Sequence, residues 1–422
     1  MADNFSQFSL PISPRPKRIR GLAKPAGTLH QVAGLFAGIG GIELGLSRSG
    51  HATQLLCEND PAAQAVLRAR FPDIRLREDV RDIRSLPPAT TLIAAGFPCQ
   101  DLSQAGSTRG IEGSRSGLIG EVFRLVRRHK TPWILLENVP FMLQLAKGEA
   151  MNVITSAFED LGYQWAYRTV DSRAFGLPQR RRRVFFVASR VGDPRTVLFA
   201  DEAHPPSDFR ETGRSVAYGF YWTEGVRGLG WAVDGIPTLK GGSTIGIPSA
   251  PAIWGTDGRI ATPEIRDAER LQGFRANWTK PAEEVAKRGA RWKLVGNAVN
   301  VRVAEWVGRR FAKPGIPLCF ETRSLEGHRT WPSAAWSVDG VRSAVIASDW
   351  PVQYAYRSLE DFLAYPLLPL SVRATSGFLQ RTNNAKLRFP PGFLDALRDH
   401  LKRMYATSDV SESESQVEAR AA

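Results

Sequence analysis

Between residues 31 and 138 the chain repeats one pattern: a short apolar run, a turn carrying glycine or a carboxylate, and in most cases a helical stretch. The runs 31–36, 54–57, 74–76, 91–95 and 133–136 are too short for helices. They read as strands, and 91–95 as a buried one. Such strands, separated by helices, build a parallel sheet covered on both sides, so the expected fold class is α/β, a doubly wound Rossmann-like sheet. In that architecture ligands bind outside the carboxyl ends of the strands. The residues just past each run are therefore the candidates for chemistry.

The first run leads into Ala37-Gly38-Ile39-Gly40-Gly41 and a helix near 42–47. Glycines at a strand-to-helix turn let a ligand approach the backbone, and the helix start offers unpaired N–H groups. The spacing is not the dinucleotide GxGxxG, because Glu43 stands at its last glycine, and no Walker lysine follows. A tight turn without ligand has the same signature. The second run ends in Glu58, about twenty residues past Gly38, an offset that suits a carboxylate accepting two ribose hydroxyls. A solvated strand end reads alike. Asp60 caps a helix opening at Pro61, and the third run leads to Asp79. The fourth delivers Gly96-Phe97-Pro98-Cys99-Gln100, a thiol on a loop bounded by Gly and Pro. Alone, Cys99 also fits a buried small hydrophobe. The fifth ends in Glu137-Asn138-Val139, so adjacent parallel strands would set Cys99 and Glu137 on one rim.

Past Cys99, residues 103–117 are polar and rich in Gly, Ser and Arg, the composition of a mobile functional lid or of a disordered segment. Helices are expected over 118–129 and 150–161, the second stopped by Gly162. Strands over 164–170 and 184–188 should form an antiparallel pair at the sheet edge. Between them stands Gln179-Arg180-Arg181-Arg182-Arg183, either a solvated charge run or, through strand alternation, inward-facing phosphate contacts. Residues 190–262 are aromatic and rich in Gly and Pro without helical period, which suits a small irregular domain. Helices return over 263–274 and 301–311. Later residues include a helix opening at Ser358 and an amphipathic one carrying Phe393, Leu394, Leu397, Leu401 and Met404 on one face.

The formal charge is +14, from 56 Lys plus Arg against 42 Asp plus Glu, which points to a polyanionic partner. Cys57, Cys99 and Cys319 are the only cysteines and include no Cys-x-x-Cys pair, so neither a disulfide framework nor a metal site is expected. No signal peptide or membrane-length apolar run occurs, and a cytoplasmic setting fits.

Together these runs resemble the DNA (cytosine-5) methyltransferase family of bacterial restriction-modification type, over residues 31–312 in the usual order. LFAGIGG at 35–41 is similar to the family's cofactor loop, GFPCQ at 96–100 to its nucleophile loop and ENV at 137–139 to its acid. QRRRR at 179–183, RLQGF at 270–274 and GNAVN at 296–300 resemble its later motifs. The resemblance implies methyl transfer from S-adenosyl-L-methionine to carbon 5 of a flipped-out cytosine in double-stranded DNA. It assigns Cys99 as nucleophile, Glu137 as acid, and Arg181 and Arg183 as catalytic groups holding the flipped nucleotide. The cofactor would meet Phe36, Gly38, Ile39, Gly40, Gly41, Glu58, Asp79, Pro98 and Asn297. DNA would meet Gln100, Ser103, Gln179, Thr238 and Leu239. Gly34, Arg182 and Asn300 depart from the family pattern.

The implied organisation is a flexible basic arm (1–29), a catalytic domain (30–190), a target-recognition domain (191–262), the end of the catalytic core (263–312), a C-terminal extension of open role (313–407) and a disordered tail (408–422). A monomer is expected, with a cognate restriction endonuclease or other defence proteins as partners. The alternatives are an RNA (tRNA) cytosine-5 methyltransferase, a non-catalytic DNA-binding regulator on the same fold, and a cysteine hydrolase using His129.

Overall fold

The computed structural model describes residues 27–97, 117–206, 216–226, 228–242, 250–287, 289–325 and 330–406, with the backbone of 17–18. The first half alternates as expected: β1 (Gln31–Leu35), α1 (Gly41–Ser47), β2 (Ala52–Cys57), α2 (Pro61–Arg70), β3 (Arg75–Arg77), β4 (Leu92–Ala95), α3 (Leu118–His129) and β5 (Trp133–Asn138). These strands are parallel in the order β3-β2-β1-β4-β5. β1 and β4 are central, and their neighbours reverse direction in sequence there. That is the switch point where a crevice opens past the strand ends. Every residue of β4 is fully buried, as its unbroken apolar run requires.

Local chemistry sets the helix ends. Asp60 accepts hydrogen bonds from the Ala62 and Ala63 N–H groups at 2.9 and 3.4 Å, with Pro61 in the first helical position. Such a cap stabilises a helix by about 1 kcal/mol. Gly162 adopts φ +77° just past α4 (Glu149–Asp160), a backbone that an L side chain resists.

The chain then runs through β6 (Gln164–Asp171), β7 (Gln179–Arg180) and β8 (Arg182–Ser189), with β8 antiparallel between β5 and β6. A small lobe follows: β9 (Tyr218–Phe220), β10 (Ala232–Val233), β11 (Ile236–Pro237), β12 (Ala252–Trp254) and β13 (Ile260–Thr262). The helices α5 (Ile265–Leu271), α6 (Ala290–Asn297) and α7 (Val301–Ala312) return to the large lobe. Asn300, the departure from the family pattern, caps α7 by accepting from the Arg302 and Val303 N–H groups.

Residues after 313 divide between the lobes. β14 (Thr322–Ser324), β15 (Ala334–Val338) and β16 (Val341–Val345) extend the main sheet to ten strands in the order β14-β16-β15-β6-β8-β5-β4-β1-β2-β3. The β6/β8 pair is antiparallel as expected but not at the edge, because β15 pairs with β6. β17 (Leu368–Pro369), α8 (Val372–Asn383) and α9 (393–406) complete the small lobe, whose sheet runs β10-β9-β12-β13-β17. Within the expected basic arm, Lys17–Arg18 pairs antiparallel with Leu318–Cys319. The expected lid and the 408–422 tail lie outside the described residues. No helix among the described residues is long and apolar enough to cross a membrane.

Beneath α7, His30 and His51 stack with ring centroids 5.4 Å apart, both buried. Burial, with the neighbouring ring, lowers His30 to about 4, and burial lowers His51 as well. Both stay neutral in the fold while the unfolded chain takes up protons below pH ~6.5, so this pair stabilises at neutral pH and its contribution drains away toward pH 4. Glu43, which burial raises to about 7, acts in the opposite sense over that window. The readout is therefore a difference. Comparing denaturant unfolding of wild type and His30→Asn, the stability gap between pH 7 and 4.5 should be smaller in the variant by about 2 kcal/mol. Parallel pH curves would remove His30 from the account.

Candidate active site

The glycine loop is built for backbone exposure. Phe36 (φ 55°), Gly38 (φ 56°) and Gly40 (φ 80°) turn the chain sharply from β1 into α1. Gly38 faces open space, since a Cβ there would meet no atom within 4 Å. Its N–H donates to Glu58 Oε2 at 2.7 Å, and the Asp60 N–H donates to Glu58 Oε1 at 2.8 Å. Glu58 thus clamps the loop beside an open cradle at the switch point, and a carboxylate retains lone pairs for further donors. Ile39 offers this loop its backbone and not its side chain. Its side chain is buried in an apolar cluster with Val66 and Phe274, and its carbonyl accepts from Trp278 Nε1 at 2.9 Å. Asp79 is half-buried and paired to Arg81 at 2.6 Å.

Gly96, just past β4, marks where the strand ends meet. A Cβ there would stand 3.6 Å from Val299 Cγ2, 3.7 Å from Glu137 Oε2 and 3.9 Å from the Phe36 carbonyl oxygen. Three separated motifs therefore converge at the root of the nucleophile loop. Pro98, Cys99, Gln100 and Ser103 lie outside the described residues, but Phe97 is placed: its carbonyl accepts from Asn138 Nδ2 at 3.0 Å. Asn138 was not among the expected site residues. It ties Phe97 to the strand carrying Glu137, and its signal was the motif ENV itself.

Glu137 is buried, with Arg183 Nε 3.2 Å from its Oε1. The two are close enough to attract but not aligned for a hydrogen bond, and Oε1 has no directed donor among the described residues. Burial pushes this carboxyl above the usual carboxylate range, against the pull of Arg183 and Arg181. Burial thus favours the protonated form, which can present a proton to a base.

The arginine run alternates as strands do. Gln179 and Arg181 are buried and Arg183 half-buried, whereas Arg180 and Arg182 face outward. Arg182 pairs with Asp349 at 2.8 Å, which accounts for a cation at this departure from the family pattern. Arg181 does not face an open substrate site. At 1% exposure, its guanidinium donates to the carbonyls of Leu239 (3.0 Å), Gly296 (3.3 Å) and Ala298 (2.6 Å). Gln179 likewise serves the protein: it donates to the Leu271 carbonyl at 2.9 Å and accepts from the Leu239 N–H at 3.1 Å. Leu239 itself is buried in the apolar cluster around Leu177 and Leu271. Thr238 bonds the Arg180 carbonyl through Oγ1 at 2.8 Å. Asn297 is exposed, with its amide against Gly241.

One further carboxyl escaped the sequence reading. Glu43 projects from α1 onto β1, and a Cβ at Gly34 would overlap its Oε1. The missing side chain at Gly34 thus makes room for Glu43, whose Oε2 is buried without a hydrogen-bond partner among the described residues.

A doubly wound sheet with an open glycine cradle, a carboxylate past β2 and a buried carboxyl past β5 is the arrangement implied by the resemblance to the S-adenosyl-L-methionine-dependent methyltransferases. The sequence profile of the C-5 cytosine-specific DNA methylases matches residues 30–218. The chain is 50% identical over 363 residues to the Type II methyltransferase M2.BsuMI of Bacillus subtilis (strain 168), covering 83% of this chain and 92% of that one. It is 32% identical to the Type II methyltransferase M.AquIA of Picosynechococcus, over 41% of this chain and 77% of that one. The solved S. pombe Dnmt2 methyltransferase superposes with TM-score 0.47 at 16% identity, over 67% of this chain and 98% of that one. The chain belongs to the C-5 cytosine-specific DNA methylase family. It is a DNA cytosine-5 methyltransferase of restriction-modification type, acting on double-stranded DNA.

Proposed function

We propose that the enzyme methylates a flipped-out cytosine through a covalent adduct with Cys99. The observation that carries this reading is the convergence at Gly96, which sets the root of the Cys99 loop beside Glu137 and the glycine cradle. The target atoms are inaccessible in a stacked duplex, so the base leaves the helix. The Cys99 thiolate adds to carbon 6 while Glu137 hands its proton to ring nitrogen 3, making carbon 5 nucleophilic. S-adenosyl-L-methionine supplies the electrophilic methyl group that carbon 5 takes. Loss of the carbon-5 proton to solvent then returns the electron pair that expels Cys99 as thiolate, and nitrogen 3 gives its proton back to Glu137.

The Phe36–Gly41 backbone, Glu58, Asp79, Pro98 and Asn297 hold the cofactor. Arg183 orients Glu137, whereas Arg181 and Gln179 position the segments around it. Gln100, Ser103 and Thr238 are the residues assigned to DNA contact. The enzyme works as a monomer in the bacterial cytoplasm, protecting sites cut by a cognate endonuclease in defence against phage. Duplex DNA carrying 5-fluorocytosine in the target site, incubated with enzyme and cofactor, should yield an adduct stable to detergent and heat. Bisulfite sequencing of host DNA should show 5-methylcytosine at one motif. Methylation without any trapped adduct would overturn the covalent route, and methylation of transfer RNA alone would overturn the proposed flipping of a duplex cytosine.

A further inference from the structure

We propose that the turn joining α8 to α9, around Lys386 and Arg388, is a second DNA-contacting surface that grips the phosphate backbone beside the small lobe. This rests on the DNA-methyltransferase reading and extends it to residues far from the family's motifs.

The α8–α9 pair is built into the small lobe rather than appended to it. β17 hydrogen-bonds along β13, with Ala261 opposite Pro369 and Thr262 opposite Leu368. Phe378, Phe393 and Leu397 are fully buried and share one apolar core with Tyr218, Phe220 and Trp254. The ring of Phe393 stands 4.9 Å from that of Phe220, edge to face. Two segments more than a hundred residues apart thus form one folding unit, which holds the turn at a fixed place.

That place is continuous with the catalytic rim. Arg381, near the end of α8, donates to the carbonyls of Trp222 at 2.6 Å and Glu224 at 2.9 Å. Glu224 pairs with Lys240 at 2.6 Å, and Lys240 lies 3.9 Å over the Tyr221 ring. Gly241, the next residue, rests against Asn297 of the final catalytic motif. A chain of contacts therefore runs from the last turn of α8, through the 222–225 loop, to Asn297.

The charges sort in the same direction. Asp395 and Asp399 are matched by Arg398 and Lys402 on their own helix, and Arg381 is engaged with backbone. Lys386 and Arg388 are exposed, and no ion pair or hydrogen bond engages either among the described residues. Their turn, Asn383-Asn384-Ala385-Lys386-Leu387-Arg388, contains no carboxylate. Exposed amides and uncompensated cations on a rigid mount are the chemistry that meets phosphate oxygens, and each phosphate neutralised adds about one to the slope of log affinity against log salt.

The test is the double variant Lys386→Ala/Arg388→Ala in the full-length enzyme, titrated with duplex DNA containing the target site between 50 and 300 mM salt. The expected slope is shallower by about two, with binding about tenfold weaker near 0.1 M salt. The same loss should appear in KM for DNA, with melting temperature and cofactor affinity as in wild type. Lys386→Glu/Arg388→Glu should weaken binding further. Wild-type affinity and salt slope in the alanine variant would overturn the proposal and leave a merely solvated turn. If the wild-type enzyme itself fails to methylate duplex DNA, it is the underlying functional reading that falls, so the two failures are distinguishable.

Discussion

Glu137→Gln is expected to slow methyl transfer about a thousandfold, and Cys99→Ala to abolish it, with DNA still bound in both cases. The magnitude for Glu137 is that of a positioned general acid. Glutamine keeps the size and a hydrogen-bond donor but has no proton to give to ring nitrogen 3. The buried carboxyl titrates above the ordinary carboxylate range, so in the wild type the active, protonated form is depleted as pH rises through that raised value. Single-turnover rates in the wild type should therefore carry a falling alkaline limb assignable to Glu137, and Glu137→Gln should lack it. Trapping on 5-fluorocytosine DNA separates the roles: Glu137→Gln forms the adduct slowly, and Cys99→Ala never does. Because Arg183 keeps a 2.7 Å hydrogen bond to the Arg182 carbonyl, loss of the ion pair should move the melting point only slightly. Equal single-turnover rates in Glu137→Gln and wild type would remove the acid role.

The sequence made the parallel half of the fold legible because its signals are local. The apolar run before Gly96 has no solvent-facing residue, and Asp60-Pro61 opens a helix by capping and a fixed φ alone. Strand ends then follow from strand order, which is how Glu58, Cys99 and Glu137 could be assigned to one rim. Pairings across long separations left no such mark. Nothing near Trp336 announces that it pairs opposite Ala166, and the β6/β8 pair looked like an edge because its outer neighbours arrive some 150 residues later. The inward turn of alternate arginines was legible in the QRRRR run, but what they face was not. An inward guanidinium meets phosphate or carbonyl oxygens equally well, and only the assembled fold shows three carbonyls around Arg181. Glu43 was hidden for a related reason. The room it is buried in is made by Gly34 on β1, so its neighbours on α1 say nothing of its burial.

Arg181 sets the second large effect, because its guanidinium is the point at which three chain segments meet. It holds Leu239 of the small lobe to Gly296 and Ala298, and Val299, the next residue, lies at the Gly96 convergence. Arg181→Ala leaves those carbonyls buried without their charged donor and opens a void. The expected cost is on the order of 4 kcal/mol, or a melting point lower by about 5 °C. Arg181→Lys restores a cation and some packing, but a single ammonium cannot span the fork that reaches all three carbonyls. It should recover part of the stability and little of the rate. A phosphate-binding arginine behaves in the opposite way, since its removal weakens DNA binding and flattens the salt dependence while the melting point hardly moves. Thermal melts, salt-dependent DNA titrations and single-turnover rates on both variants decide between these jobs. The structure requires the melting point of Arg181→Ala to drop and its salt slope to stay within one unit of wild type; an unchanged melting point with a flatter slope would return Arg181 to the substrate.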